Sequence, residues 1–110
     1  MKVYSGRRDI NRICHVLVID DGGSRTLDPR LDLDNHSPCG FAWGYQGSGP
    51  SQLALALLAD HFHGKRDRLA VSLHQEFKRL VVSNLPQDEC WLLDSTDIVK
   101  ALHEMGRTTA

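Results

Sequence analysis

Residues 53–59 read Leu-Ala-Leu-Ala-Leu-Leu-Ala, and a helix built from them has no polar side. The alternation in LALAL also fits a strand. Leucine and alanine are strong helix formers, however, and no β-branched residue interrupts the run. Pro50 suits a first helical turn, with Gly49 or Ser48 as the cap. The spacing predicts a helix over 50–62. A helix that is apolar all round has to be surrounded. In a chain of 110 residues, little is left over for anything but surrounding it. The alanines permit close approach by a neighbour.

The clearest strand is RICHVLVID, residues 12–20, closed by the turn signal Asp20-Asp21-Gly22-Gly23. One face carries Ile13, His15, Leu17 and Ile19, and the other Cys14, Val16 and Val18. Both faces are apolar, so this strand is expected to be central and covered on both sides. Residues 2–8, KVYSGRR, form a shorter strand, weakened by Gly6 and two arginines and expected at a sheet edge. Residues 21–39 read as loop, with a brief extended piece around Leu31 and Leu33. A turn at His36-Ser37-Pro38-Cys39-Gly40 leads into a third strand, GFAWGY. That strand places Phe41, Trp43 and Tyr45 on one face and Ala42 and Gly44 on the other.

Beyond the apolar helix, Gly64 to Asp67 make a polar break. Residues 67–83 are amphipathic, with Leu69, Leu73, Phe77, Leu80 and Val81 on one stripe. Cys90 to Leu93 form a last short strand. Asp94 or Ser95 caps a closing helix bearing Ile98, Leu102 and Met105, with Gly106 beyond its end. The order is β-β-β-α-α-β-α. The class is α+β, a small sheet of about four strands with three helices packed on it. One globular domain is expected over residues 1–106, with a loose tail at 107–110.

Several function classes are disfavoured. Thirteen basic residues face fourteen acidic ones, for a net charge of −1, so the basic excess of a nucleic-acid reader is missing. LALALLA is too short to span a bilayer, and MKVYSGRRDI lacks the apolar stretch of a secretory signal. Cys14, Cys39 and Cys90 are odd in number, with no C-x-x-C pair. That pattern fits reduced thiols and a cytoplasmic location.

The foremost candidate for chemistry is the bend Gly47-Ser48-Gly49-Pro50-Ser51-Gln52. A glycine-rich entry into a helix can offer amide N–H groups to an anion or phosphate group, and Ser48, Ser51 and Gln52 could add donors. Against that, Pro50 removes one N–H and there is no Lys-Ser/Thr pair. The plainer reading is a strand-to-helix turn that needs glycine for its geometry. In Asp60-His61-Phe62-His63 the two histidines stand two apart, so on a helix they diverge. With His74 in the next helix and no recognisable set completed, no metal site and no cofactor are expected. Asp32-x-Asp34 resembles the start of a calcium loop, but the twelfth position holds Trp43. No G-x-S-x-G elbow supports a nucleophilic enzyme.

The stretches YSGRR, SPCGFAWGYQGSGPSQLALALLAD and FKRLVVSNLP, and WLL before a closing helix, together resemble a family of short prokaryotic proteins. These are often borne on phages and plasmids and carry a domain of unknown function. The resemblance spans nearly the whole chain. It implies that relatives commonly hold an acid where this chain has Ala42 and a small residue where it has Gln46. It transfers no catalytic residue, and it points to an accessory protein of a mobile element, such as an inhibitor of a host defence system. The leading expectation is a non-enzymatic module that binds a protein, with Phe41, Trp43 and Tyr45 as contact residues. The alternative is a small-ligand binder using Gly47, Ser48, Gly49, Ser51 and Gln52, and a minimal His/Cys hydrolase ranks last. Should all helices lie on one face of the sheet, the other face would need a partner or a second copy, making a homodimer.

Overall fold

The structure, a computed structural model, describes residues 2–106. The tail expected at 107–110 lies outside them. Strand β1 (Val3–Arg8) and strand β2 (Cys14–Asp20) form an antiparallel hairpin, in register from Val3 opposite Ile19 to Arg8 opposite Cys14. At its turn, the Asp9 carboxylate accepts from the backbone N–H groups of Asn11 and Ile13. Strand β3 (Gly23–Thr26) folds straight back on β2. Two long helices follow, α1 (Ser48–His61) and α2 (Asp67–Leu80), then a single 3-10 turn at Val82–Asn84. Strand β4 (Trp91–Asp94) returns to pair antiparallel with β1, and α3 (Ser95–Glu104) closes the chain. The sheet order is β3-β2-β1-β4. Class and element order are those expected: α+β, four strands and three helices in the order β-β-β-α-α-β-α.

The third strand is nevertheless a different segment. It is GSRT, directly after the Asp-Gly turn, and not GFAWGY. All four of its residues are exposed, so it carries no apolar pattern for a sequence reading to find. GFAWGY is irregular because its glycines serve local purposes. Gly40 and Gly44 have φ of 134° and 86°, which an L side chain rarely adopts. The Gly44 N–H donates to the Val82 carbonyl, and a Cβ there would fall 2.6 Å from Gln87 Cβ. The segment drives Trp43 into the core instead of pairing with a neighbour.

Helix α1 is enclosed as its composition requires, buried continuously from Gly49 to Ala59. It packs on α2, α3 and the 3-10 turn, and it shares one core with Tyr4, Val16 and Val18 of the sheet. Helix α2 buries Ala70, Leu73, His74 and Phe77. Leu80, expected on that stripe, is exposed at the helix end. Helix α3 begins with a reciprocal capping box between Asp94 and Asp97.

β2 is interior in the sheet, but only one of its faces is covered. Val16 and Val18 are buried, while Ile13 and Ile19 of the other face are exposed. The expectation of cover on both sides is corrected: the core lies on a single side of the sheet. On that side Gly6 leaves a slot for Trp91, whose indole occupies the space a Cβ would take.

Candidate functional site

The bend that sequence reading favours is the first turn and a half of α1. Gly47 is its N-cap, with extended φ of 176° and no side-chain cap. The glycines are there for close approach. A Cβ on Gly49 would sit 2.7 Å from Ala42 Cβ, and one on Gly47 would sit 2.7 Å from the Tyr45 ring. Ser48 is exposed, whereas Ser51 and Gln52 are buried. The Ser51 hydroxyl donates to the Gly47 carbonyl and lies 3.3 Å from Gln75 Oε1.

Gln52 is 0% exposed, and every hydrogen-bonding position of its amide is filled. Oε1 accepts from the N–H groups of His36 (2.8 Å) and Ser37 (3.0 Å). Nε2 donates to the carbonyls of Pro29 (2.6 Å) and Asp34 (3.0 Å). Thus Gln52 holds the 29–37 loop against the helices and leaves nothing over for a ligand. Arg30 reinforces the same loop by bridging Asp32 and Asp67. The hydrogen bonds to both carboxylates raise its pKa.

Phe41, Trp43 and Tyr45 do not share a face. Trp43 is fully buried, edge-on to Trp91 with ring centroids 5.3 Å apart, and the Arg8 guanidinium lies 5.4 Å from its ring. Phe41 is half-buried against the core, and Tyr45 is exposed. They form no common contact surface.

What the loop clamp brings together is a set of three side chains that the sequence keeps apart: Asp34, His36 and His74. Their ligand atoms all lie within 4.8 Å of one another. His36 Nε2 is 2.9 Å from His74 Nε2 and 3.3 Å from Asp34 Oδ2. His74 is 4% exposed, and its Nδ1 is hydrogen-bonded to the Val71 carbonyl. Burial pushes the His74 pKa down, with His36 adding to the effect, although the bond to Val71 pulls the other way. Sequence reasoning missed the group because its members lie on a loop and on the next-but-one element. One signal was available: His74 interrupts the buried stripe of α2 between Leu73 and Phe77, where a polar residue needs a partner.

The other histidines are placed differently. His61, at the end of α1, is half-buried, and burial first and then Lys2 and His63 lower its pKa. His15 pairs with Asp9 at 2.9 Å near the hairpin turn. A groove of about 1000 Å³ runs between the β2–β3 turn and the end of α1. Lys2, Lys65 and Arg66 line it together with Asp20 and Asp21, so its charges select neither sign of ion.

At its C-terminal end α1 carries a second polar clamp. The Asp60 carboxylate accepts from Lys2 Nζ (2.9 Å), Tyr4 Oη (2.8 Å) and Arg25 Nη2 (2.7 Å). Burial opposes its charge, but these three donors outweigh burial and hold the carboxyl below its ordinary range. Burial and the same hydrogen bond drive the Tyr4 pKa strongly upward.

Fold and site together define an α+β protein with helices on one face of an antiparallel sheet and a histidine–aspartate cluster beside its buried helix. The chain belongs to the family of unknown function DUF6166, whose model matches residues 4–104. No curated protein and no solved structure matches the chain.

Proposed function

We propose that the protein is a non-enzymatic binding module for another protein and that the open face of the sheet is its contact surface. The observation that supports this reading is the concentration of exposed apolar side chains there. Ile13 is 56%, Ile19 40% and Leu92 68% exposed, with the half-buried Val3 and Leu17 on the same face. Exposed apolar side chains gathered on one face of a sheet favour an interaction site there. Arg7 stands in the same array, opposite His15, and has no acidic partner among the described residues. The partner chemistry is therefore an apolar surface that also brings a carboxylate to Arg7. Among the described residues no helix is long and apolar enough to cross a membrane. We place the protein in the cytoplasm, as an accessory protein of a phage or plasmid that inhibits a host defence system. That part of the reading rests on the resemblance to short prokaryotic proteins. The first turn of α1 is a weaker place for an anion, because Ser51 and Gln52 are already engaged.

The test uses the tagged full chain and the variants Leu92→Asp and Arg7→Glu as baits in host-cell lysate. Proteins held by the wild type are identified and purified, and binary binding is measured by calorimetry. A one-to-one complex weakened at least about tenfold in both variants is the expected result, a loss of about 1.4 kcal/mol. A partner that binds all three forms equally would sink the proposal. So would light scattering that shows the face closed by a second copy of the chain.

A further inference from the structure

We propose that Asp34, His36 and His74 bind one divalent first-row transition ion of the zinc type. This does not depend on the sheet-face reading, and it replaces the expectation of no metal. That expectation weighed His61 and His63 with His74 in the next helix, whereas these ligands join His74 of α2 to Asp34 and His36 of a loop.

Three observations carry the proposal. The first is spacing. Zinc sits about 2.0–2.2 Å from nitrogen and oxygen ligands, which places ligand atoms about 3.3 Å apart in a tetrahedral set. The two Nε2 atoms, 2.9 Å apart, need to open by a few tenths of an ångström, and Asp34 Oδ2 already stands 3.3 Å from His36 Nε2. The remaining separation, from Asp34 to His74, is within 4.8 Å and closes by rotation of the Asp34 side chain. The ring centroids are 5.0 Å apart and the ring planes are tilted by 43°.

The second is the tautomer. His74 Nδ1 can bond to the Val71 carbonyl only as a donor, so in the neutral ring Nε2 carries the lone pair. A backbone carbonyl on the far nitrogen is the usual way a ligating histidine is oriented. Without an ion, the His36 Nε2 proton faces two acceptors, Asp34 Oδ2 and His74 Nε2, and the Gln75 amide nitrogen, 3.3 Å from His74 Nε2, is the other donor in reach of that ring. A cation satisfies all three groups together.

The third is the support behind the ligands. Gln52 bonds the backbone of both loop ligands, accepting from His36 N and donating to Asp34 O. The Gln75 amide lies 3.3 Å from His74 Nε2 and 3.3 Å from the Ser51 hydroxyl. Two imidazoles and one carboxylate suit zinc or its first-row neighbours rather than calcium or magnesium. The Asp34 side chain is 44% exposed, so the solvent side of the site stays open to water.

The test uses the full chain, stripped with a chelator and titrated with zinc in competition with a chromophoric chelator. One equivalent is expected. Affinity should fall about 100-fold in His36→Ala and at least about tenfold in Asp34→Asn, with circular dichroism confirming that both variants fold. His61→Ala and His63→Ala should bind as the wild type does. Cobalt in place of zinc should give visible d–d bands that vanish in His36→Ala. The proposal fails if no equivalent binds, if binding survives intact in both His36→Ala and Asp34→Asn, or if it depends on His61 or His63.

Discussion

Helix α1 is apolar along its middle and tied down at both ends by one polar side chain, and the two ties differ in kind. Gln52, in the second turn, is neutral and fully enclosed, and it bonds only to backbone groups of a loop. Asp60, near the C-terminal end, is charged and partly buried at the edge of the core, and it bonds to side chains of the sheet and to Lys2 just ahead of it. A chain segment with no regular structure has unpaired N–H and C=O groups, and an amide can satisfy both types at once. Strands have already spent their backbone groups on one another, so only their side chains remain to be gathered, and a carboxylate gathers cations and a phenol. The helix thus uses the chemistry that each neighbour leaves available.

The sharpest way to break this comparison is Gln52→Met, which keeps most of the volume and removes the amide. Four backbone groups would be left without their partner in the protein interior. A loss of about 3 kcal/mol is expected in urea unfolding. A loss under about 1 kcal/mol would mean that the loop is held by Arg30 and not by Gln52.

Asp60→Asn should cost less, about 2 kcal/mol, because the site borders solvent and water can replace part of what is lost. This tie, unlike the first, should depend on pH. The folded carboxyl is held below its unfolded value, so its contribution is complete above about pH 4. It is lost as the pH falls through the folded pKa. The stability gap between wild type and Asp60→Asn should therefore be flat from pH 7 to about pH 4 and close below that, while the gap to Gln52→Met should not close from this cause. A gap that persists unchanged to about pH 2 would show that the folded carboxyl titrates as the unfolded one does and is not held down by its three donors.

The smallest effect sharpens the entry to the helix. Gly49→Ala should destabilise by about 1 kcal/mol, the net of a helix-propensity gain and a collision with Ala42. In an Ala42→Gly background the same change should be neutral or stabilising. If the penalty survives there, backbone conformation and not contact is what requires glycine.

The parts of the fold legible in the sequence are those whose burial is periodic. LALALLA announced its enclosure, the stripe of α2 was visible through Leu73 and Phe77, and Asp94, one of the two caps considered, marked the start of α3. β3 was illegible because it buries nothing; its evidence lay entirely in the turn before it. GFAWGY misled because aromatic–small alternation resembles a pleat, while its small residues answer to positive φ and to close contact. The site suffered from the same locality. Gln52 stood out as a polar residue ahead of an apolar run, but a side chain enclosed on all sides has to be spent internally. Asp34, His36 and His74 meet only because the loop is clamped, and no local pattern encodes that long-range closure.

The chain's two tryptophans turn this closure into an optical signal. Trp43 comes from the irregular segment and Trp91 from β4, and their rings stand edge to face at 5.3 Å. At that distance the excited states of two indoles couple. Circular dichroism in the ultraviolet should then carry a signed pair of bands that neither ring gives alone. Refolding can be followed through those bands without any label, as the moment when the 40–47 segment docks on the sheet. An emission spectrum would register the burial of either ring without saying that the two had met.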